Sequence, residues 1–311
     1  MEFDLNVTAQ TFSQSSADPQ AVWPFVSVIV PVFNGAETIE QLLEALKAQN
    51  YPAERREFII ADDASSDSTP TILARYADVC RIVVCADNLG SYNARNRAVE
   101  LARGDVFAFT DADCRPDPNW LVEGVRALMR QGGGLVAGAV TITPTCRASA
   151  IQRYDAFFGI QQAFFARKLR FGATANLFAG RSALELIGGF DAGLRSGGDR
   201  KFCQIGVQRG LDFSYSPASI VRHLPRTSFA ELARKQIRIS IGQVHIFPRW
   251  SRLYVLPLSA RDPEIFDAQA LVAESLGFRL RFVCVYYALE VLHVLTYGWG
   301  CLTRLRKLAR G

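Results

Sequence analysis

Asp111-Ala-Asp113 stands between the strand-like run Val106 to Thr110 and the turn-forming Arg-Pro-Asp-Pro of 115–118. Two carboxylates two positions apart at the end of a strand can hold Mg²⁺ or Mn²⁺ and leave coordination positions open for a diphosphate. Such a cation neutralises charge that builds on a departing nucleoside diphosphate. Acidic turns are common, so the pair gains its weight from its surroundings. A second acidic group, Asp62-Asp63, precedes Ala-Ser-Ser-Asp67-Ser68. Asp67 or Ser68 suits a helix N-cap, while Asp63 suits accepting a hydrogen bond from a nucleobase N–H.

These residues need elements to position them. Val26-Ser-Val-Ile-Val-Pro31 is the continuous β-branched run of a buried parallel strand, and Asn34-Gly35 turns the chain after it. Helical spacing follows over 37–49, then a strand over 57–61, a helix over 68–76, a strand over 81–85, a helix over 93–102 and a strand over 106–110. This alternation predicts an α/β fold: a mostly parallel sheet covered by helices, with ligands bound beyond the carboxyl ends of the strands. Pro31-Val-Phe-Asn34, Asp62-Asp63 and Asp111-Ala-Asp113 each follow directly on such a strand, which brings three clusters to one sheet edge. Beyond Gly132-Gly-Gly134 the pattern is mixed. A strand is expected over 135–142, an aromatic stretch covers 150–171, a helix 199–209, a strand 213–216 and a basic helix 229–244.

With 311 residues and 49% hydrophobic content, the chain can bury a large core, which excludes disorder throughout. Its seven cysteines are scattered without a C-x-x-C pair, pointing to reduced thiols rather than a disulfide framework or a zinc site. No basic region followed by an apolar run opens the chain, so no signal peptide is expected. The net charge of +5 is unevenly spread: from Arg200 to Arg261 eleven Lys/Arg face only Asp212 and Glu231. That excess suits phosphate-bearing ligands or anionic lipid heads as well as a solvated surface. No nucleic-acid partner is expected.

Four blocks, Val-Ser-Val-Ile-Val-Pro-Val-Phe-Asn-Gly (26–35), Ile-Ile-Ala-Asp-Asp-Ala-Ser-Ser-Asp-Ser-Thr (59–69), Asn-Leu-Gly-Ser-Tyr-Asn-Ala-Arg-Asn-Arg-Ala (88–98) and Phe-Thr-Asp-Ala-Asp (109–113), resemble the family 2 glycosyltransferases of the GT-A fold in words, order and spacing. The resemblance runs from about Val26 to about Gln243. It implies an inverting enzyme that takes a sugar from a UDP-, GDP- or dTDP-sugar with the help of Mg²⁺ or Mn²⁺. By that resemblance Pro31, Phe33 and Asn34 lie on the nucleotide-sugar side and Asp63 contacts the base. Arg95 lies near the diphosphate or merely packs on its helix. Asp111 faces the ribose or donor sugar, and Asp113 is the principal metal ligand, with Asp111 and His223 as further candidates. Asp199 takes the place of the base that deprotonates the acceptor hydroxyl, while also suiting the N-cap of its helix. Here the chain departs from the family, because Gly198 stands where an acidic residue usually precedes that aspartate. Processive members carry Gln/Arg-x-x-Arg-Trp; this chain has Arg249-Trp250 but Ile246 in the first position, which favours transfer of one sugar per encounter.

The expected organisation is a loose tail (1–24), a GT-A domain (25–245, with the donor half 25–130 and the acceptor half 131–245) and a C-terminal extension (246–311). Within the extension, 282–302 holds sixteen apolar residues of twenty-one between basic flanks, with Glu290 and His293 forming a polar stripe. The stripe and the two-sided positive charge favour a helix lying in the membrane interface over one that spans. A glycan or lipid-linked acceptor on the cytoplasmic side of the cell membrane, in surface polysaccharide or glycolipid synthesis, follows as the expectation. Two rivals remain. A sugar nucleotidyltransferase would need a Gly-rich loop with Arg and Lys after the first strand, and a catalytically inactive, membrane-docked glycan-binding protein has only Gly198 in its favour.

Overall fold

A computed structural model describes residues 23–142, 147–246 and 275–308. Almost all of the expected tail, and Arg249-Trp250, lie outside these residues. Eight strands form one sheet in the order β3-β2-β1-β4-β7-β6-β8-β5. The first half is the expected alternation: β1 (Val26–Val32), α1 (Ile39–Lys47), β2 (Arg56–Asp62), α2 (Thr69–Ala74), β3 (Arg81–Val84), α3 (Ser91–Glu100) and β4 (Val106–Phe109). Every residue of β1 is buried, as a central parallel strand covered on both faces requires. In α1 the residues with helical spacing, Ile39, Leu42, Leu43 and Leu46, are the buried ones.

The second half turns the sheet mixed. β5 (Cys114–Pro116), α4 (Trp120–Arg130) and β6 (Leu135–Thr141) are followed by the short helices α5 (Ala150–Phe158) and α6 (Gln162–Leu169) in the aromatic stretch. Then come β7 (Leu177–Gly180), α7 (Arg181–Ile187), α8 (Gly198–Gln208), β8 (Phe213–His223) and α9 (Phe229–Ile246). β7 runs antiparallel between β4 and β6, and β8 runs parallel to β6 but antiparallel to β5. One core layer joins α1 and α4 to the sheet through Leu42, Leu46, Trp120 and Val125; the other joins α3, α7 and α8 through Ala94, Leu184 and Phe202.

The final helix, α10 (Leu276–Leu308), packs on α9 and α5, burying Phe282, Tyr286, Leu289 and Tyr297. Its polar stripe has a different explanation from the one expected. His293 is buried, with Nδ1 2.7 Å from the Ser240 hydroxyl and 2.9 Å from the Gln236 amide of α9. His293 is therefore satisfied by the neighbouring helix, and the outward face of α10 carries Leu280, Val283, Tyr287, Val291, Leu295 and Trp299, all exposed. Among the described residues no helix is long and apolar enough to cross a membrane.

Candidate active site

Beyond the carboxyl ends of β1, β2 and β4 opens a cavity of about 1110 Å³, and all nine residues singled out above line it: Pro31, Phe33, Asn34, Asp63, Arg95, Asp111, Asp113, Asp199 and His223. Strand register gathers them. Pairing Val32 with Asp62 puts Phe33 and Asp63 at the same level, and pairing Ile29 with Phe109 carries Thr110 and Asp111 out beside them.

Several of these side chains build the loops around the cavity. Asn34, in the left-handed region at φ 49°, accepts the Ser66 N–H at 2.8 Å through its side-chain oxygen and ties the β1 exit to the next loop. Asp67 accepts the Thr69 N–H at 2.9 Å from one position before the N-cap of α2, Ser68, whose own side chain makes no cap. Asp63 is buried and accepts the backbone N–H groups of Leu89 and Gly90 at 3.1 and 2.8 Å, which fixes the start of α3. Phe33 is half exposed at the rim.

The aspartates of the D-x-D segment face different partners. Asp111 is ion-paired with Arg95, whose guanidinium is buried and lies 5.6 Å above the Tyr92 ring. Arg95 thus holds Asp111 in place and neutralises it. Asp113 instead meets His223: its Oδ2 lies 3.1 Å from His223 Nε2. The antiparallel register that pairs Cys114 with His223 makes this contact, joining residues 110 positions apart. Leu224 O lies 2.7 Å from His223 Nδ1, and a carbonyl only accepts, so Nδ1 carries a proton and Nε2 is turned toward Asp113.

Among the described residues Asp113, Cys114 and His223 form one group whose ligand atoms lie within 4.8 Å of one another. Burial pushes the Cys114 thiol well above its usual range, and the side chain packs in the core layer; a hard cation such as Mn²⁺ or Mg²⁺ in any case prefers carboxylate and imidazole to a soft sulfur. One carboxylate and one oriented imidazole remain. That donor set fits Mn²⁺ or Mg²⁺ completed by diphosphate oxygens and water.

Burial alone would raise the Asp113 pKa, but the charge and hydrogen bond of His223 outweigh it and hold it at about 2. For His223 burial works downward, and Asp113 more than offsets it, so its pKa is raised above 6.5. Without metal the pair therefore stabilises the fold fully between about pH 4 and 6.5; its contribution is lost as pH falls toward 2 and as pH rises through the raised His223 value. Asp113 and His223 would have to give up the proton they share before holding a divalent cation. Metal affinity should accordingly be weaker at pH 6 than at pH 8, and calorimetric titration of the metal-free protein at both values checks this; equal affinity would remove His223 from the ligand set.

Asp199 lies in the first turn of α8, whose N-cap is Gly197 rather than Asp199 itself. Its Oδ1 accepts the Arg200 N–H at 2.8 Å and receives the Tyr92 hydroxyl at 3.4 Å. Burial raises the Asp199 pKa against the lowering effect of these hydrogen bonds and of Arg95. The departure at Gly198 has a steric cause: a Cβ built there would lie 2.7 Å from the Tyr92 ring. Tyr92, which also stacks on Phe190, fills the space a side chain would occupy. It was not singled out in the sequence, although it sits inside the 88–98 block. Arg226 and Lys235 also line the cavity and were visible only as part of the basic excess.

The sequence profile described as Glycosyl transferase family 2 matches residues 27–195. The chain belongs to this family. A relative at 35% identity, over 72% of this chain and 74% of its own, is the glycosyltransferase AglE of Haloferax volcanii. A second, the teichuronic acid biosynthesis glycosyltransferase TuaG of Bacillus subtilis, is 39% identical but over only 29% of this chain and 36% of its own. Among solved structures, the mannosyltransferase PcManGT of Pyrobaculum calidifontis, in complex with GDP-Man and Mn²⁺, superposes with a TM-score of 0.63 at 20% identity, covering 89% of this chain and 87% of that one. Residues 1–349 of TarS from S. aureus, in complex with UDP, superpose with a TM-score of 0.53 at 15% identity over 91% of each chain. The profile and AglE give the chain its class, a glycosyltransferase, and the two solved structures its GT-A fold, which sets aside the nucleotidyltransferase reading.

Proposed function

We propose that this glycosyltransferase inverts the anomeric centre, moving one sugar per encounter from a nucleoside-diphosphate sugar to a hydroxyl of a glycan or lipid-linked acceptor. The observation that carries the proposal is the placing of the half-buried carboxylate of Asp199 in the cavity that also holds Asp113 and His223. Asp199 takes the acceptor proton; the freed oxygen attacks the anomeric carbon from the face opposite the diphosphate; the bond from that carbon to the phosphate oxygen breaks and its electron pair leaves with the nucleoside diphosphate. Asp113 and His223 would hold a divalent cation, which would supply charge stabilisation to that leaving group. Asp111, held by Arg95, faces the donor, and Asp63, Asn34, Phe33 and Pro31 form the nucleoside side. Nucleotide release from UDP-, GDP- and dTDP-sugars with Mn²⁺ or Mg²⁺, followed by NMR assignment of the product anomer, tests this. Retention of configuration would overturn it.

The same proposal places the enzyme on the cytoplasmic face of a membrane, in surface polysaccharide or glycolipid synthesis. Support comes from α10, whose exposed face is an apolar stripe containing Tyr287 and Trp299, next to the exposed Arg281. Apolar burial combined with about 1 kcal/mol per basic residue near an anionic surface suits docking in the interface. Because the opposite face of α10 packs on α5 and α9, the informative variant changes the outer face alone. Replacing Val283, Tyr287, Val291 and Leu295 with Gln should abolish flotation with vesicles containing anionic lipid while leaving donor turnover intact. A wild-type protein that floats with no vesicle would remove the membrane from the proposal.

A further inference from the structure

Asp155, on α5, is buried and belongs to none of the donor-side contacts. Both of its oxygens lie 3.1 Å from Arg226 Nη1, one accepts the Arg226 backbone N–H at 3.0 Å, and the other accepts from Lys235 Nζ at 3.0 Å. The two cations are themselves mostly buried, at 19% and 14% exposure, and both line the active-site cavity, as does Arg238 one turn along α9. A structural ion pair needs one cation for one carboxylate; here two cations share Asp155, and Arg238 adds a third positive charge beside Lys235. The surplus is costly: burial first, and Arg226 second, push the Lys235 ammonium down to about 8. Guanidinium carries five N–H donors and ammonium three, far more than one carboxylate accepts. Such a site is balanced by a ligand with concentrated negative charge, and phosphate is the group that arginine and lysine together recognise.

Its place in the fold indicates who carries that phosphate. The leaving diphosphate belongs beside Asp113 and His223, on the β5–β8 side, where the charge of Arg226 is also felt. Asp155 instead hangs from the helix whose Tyr154, Phe157 and Phe158 pack on Phe282 and Tyr286 of α10, so the cations stand between the cavity and the apolar α5–α10 cluster. We propose that Arg226 and Lys235, braced by Asp155 and joined by Arg238, bind a phosphate group carried by the acceptor. This rests on the glycosyl-transfer proposal above and adds the acceptor's chemical class: a phosphorylated acceptor, from either a lipid phosphate or a soluble phosphorylated glycan.

The test uses the full chain, with Mn²⁺ and whichever of UDP, GDP or dTDP raises its Tm held at saturation, titrated calorimetrically with inorganic phosphate and with decyl phosphate. Both probes should bind in the presence of the nucleotide, and at least tenfold tighter binding of decyl phosphate assigns the lipid source. Equal binding supports the phosphate site with a soluble acceptor. Lys235→Gln should weaken both probes about tenfold, the worth of one charge-assisted hydrogen bond, whereas Lys235→Arg should retain them. Arg238→Gln, at an exposed position that cannot disturb the core, should weaken them several-fold. Unchanged affinity in Lys235→Gln and Arg238→Gln overturns the proposal. Displacement of both probes by the nucleotide does so too, because the cations would then belong to the donor diphosphate. Failure of all three nucleotides to bind with Mn²⁺ strikes instead at the donor assignment.

Discussion

Asp199→Asn lowers turnover by about 10² to 10⁴, the usual worth of a positioned general base, with donor KM nearly unchanged. The amide keeps the size of the carboxyl and can still accept the Arg200 N–H through its oxygen, so the loss falls on proton transfer alone. Stability provides a second, opposite readout. Because burial raises the Asp199 pKa, the folded chain holds that proton more tightly than the unfolded one, and the ionised carboxylate costs stability at neutral pH. Asp199→Asn should therefore melt at or above the wild-type Tm while losing its activity. A structural aspartate would show the reverse, a lowered Tm with a proportionate loss of donor binding. In the active enzyme the acid limb of the rate profile should lie above the usual aspartate range. Tyr92→Phe, which removes the hydroxyl that donates to Asp199 Oδ1, should shift that limb further upward while the ring still fills the space beside Gly198.

Asp113→Asn is expected to be nearly inactive, with metal affinity lowered by more than about 100-fold, since even groups that merely orient ligands are worth 10- to 100-fold. Only Asp113 and His223 can supply suitable ligand atoms in the one group found among the described residues, and His223 alone cannot hold Mn²⁺ or Mg²⁺ against water. Asp111 cannot substitute while Arg95 neutralises it. Asp111→Asn should thus impair the donor KM more than the metal affinity. Wild-type activity that persists in excess chelator would overturn the metal requirement.

The donor half was legible because β1, β2 and β4 are largely buried and read as continuous apolar runs, and they lie within a residue or two of the expected bounds. What could not be read was long-range register. The Asp113–His223 contact exists only because β5 and β8 pair antiparallel, and the resemblance could point to the histidine without saying which carboxylate it meets. Strand β8 was expected to stop at Ser216, where Ser-Pro-Ala-Ser reads as a turn. It continues to His223 past an irregularity opposite Gly138 and Ala139. The aromatic stretch hid two helices because they pack on different partners, α5 on α10 and α6 on β6 and β8, so no single periodic apolar face runs through it. Asp155 carried no signal at all: a lone aspartate among aromatics shows its purpose only once Arg226 and Lys235 stand beside it.

The fit of Gly198 against the Tyr92 ring also constrains how this sequence can drift. An acidic residue restored at 198 collides with the ring, and a smaller residue at 92 leaves a void next to the base, so each change alone is harmful. Made together they can relieve one another, and a double-mutant cycle on the two positions should show strong non-additivity. Residues 92 and 198 then form a single unit of change: from this sequence, a passage to an acidic residue at 198 must cross a valley of lowered stability or alter both codons at once.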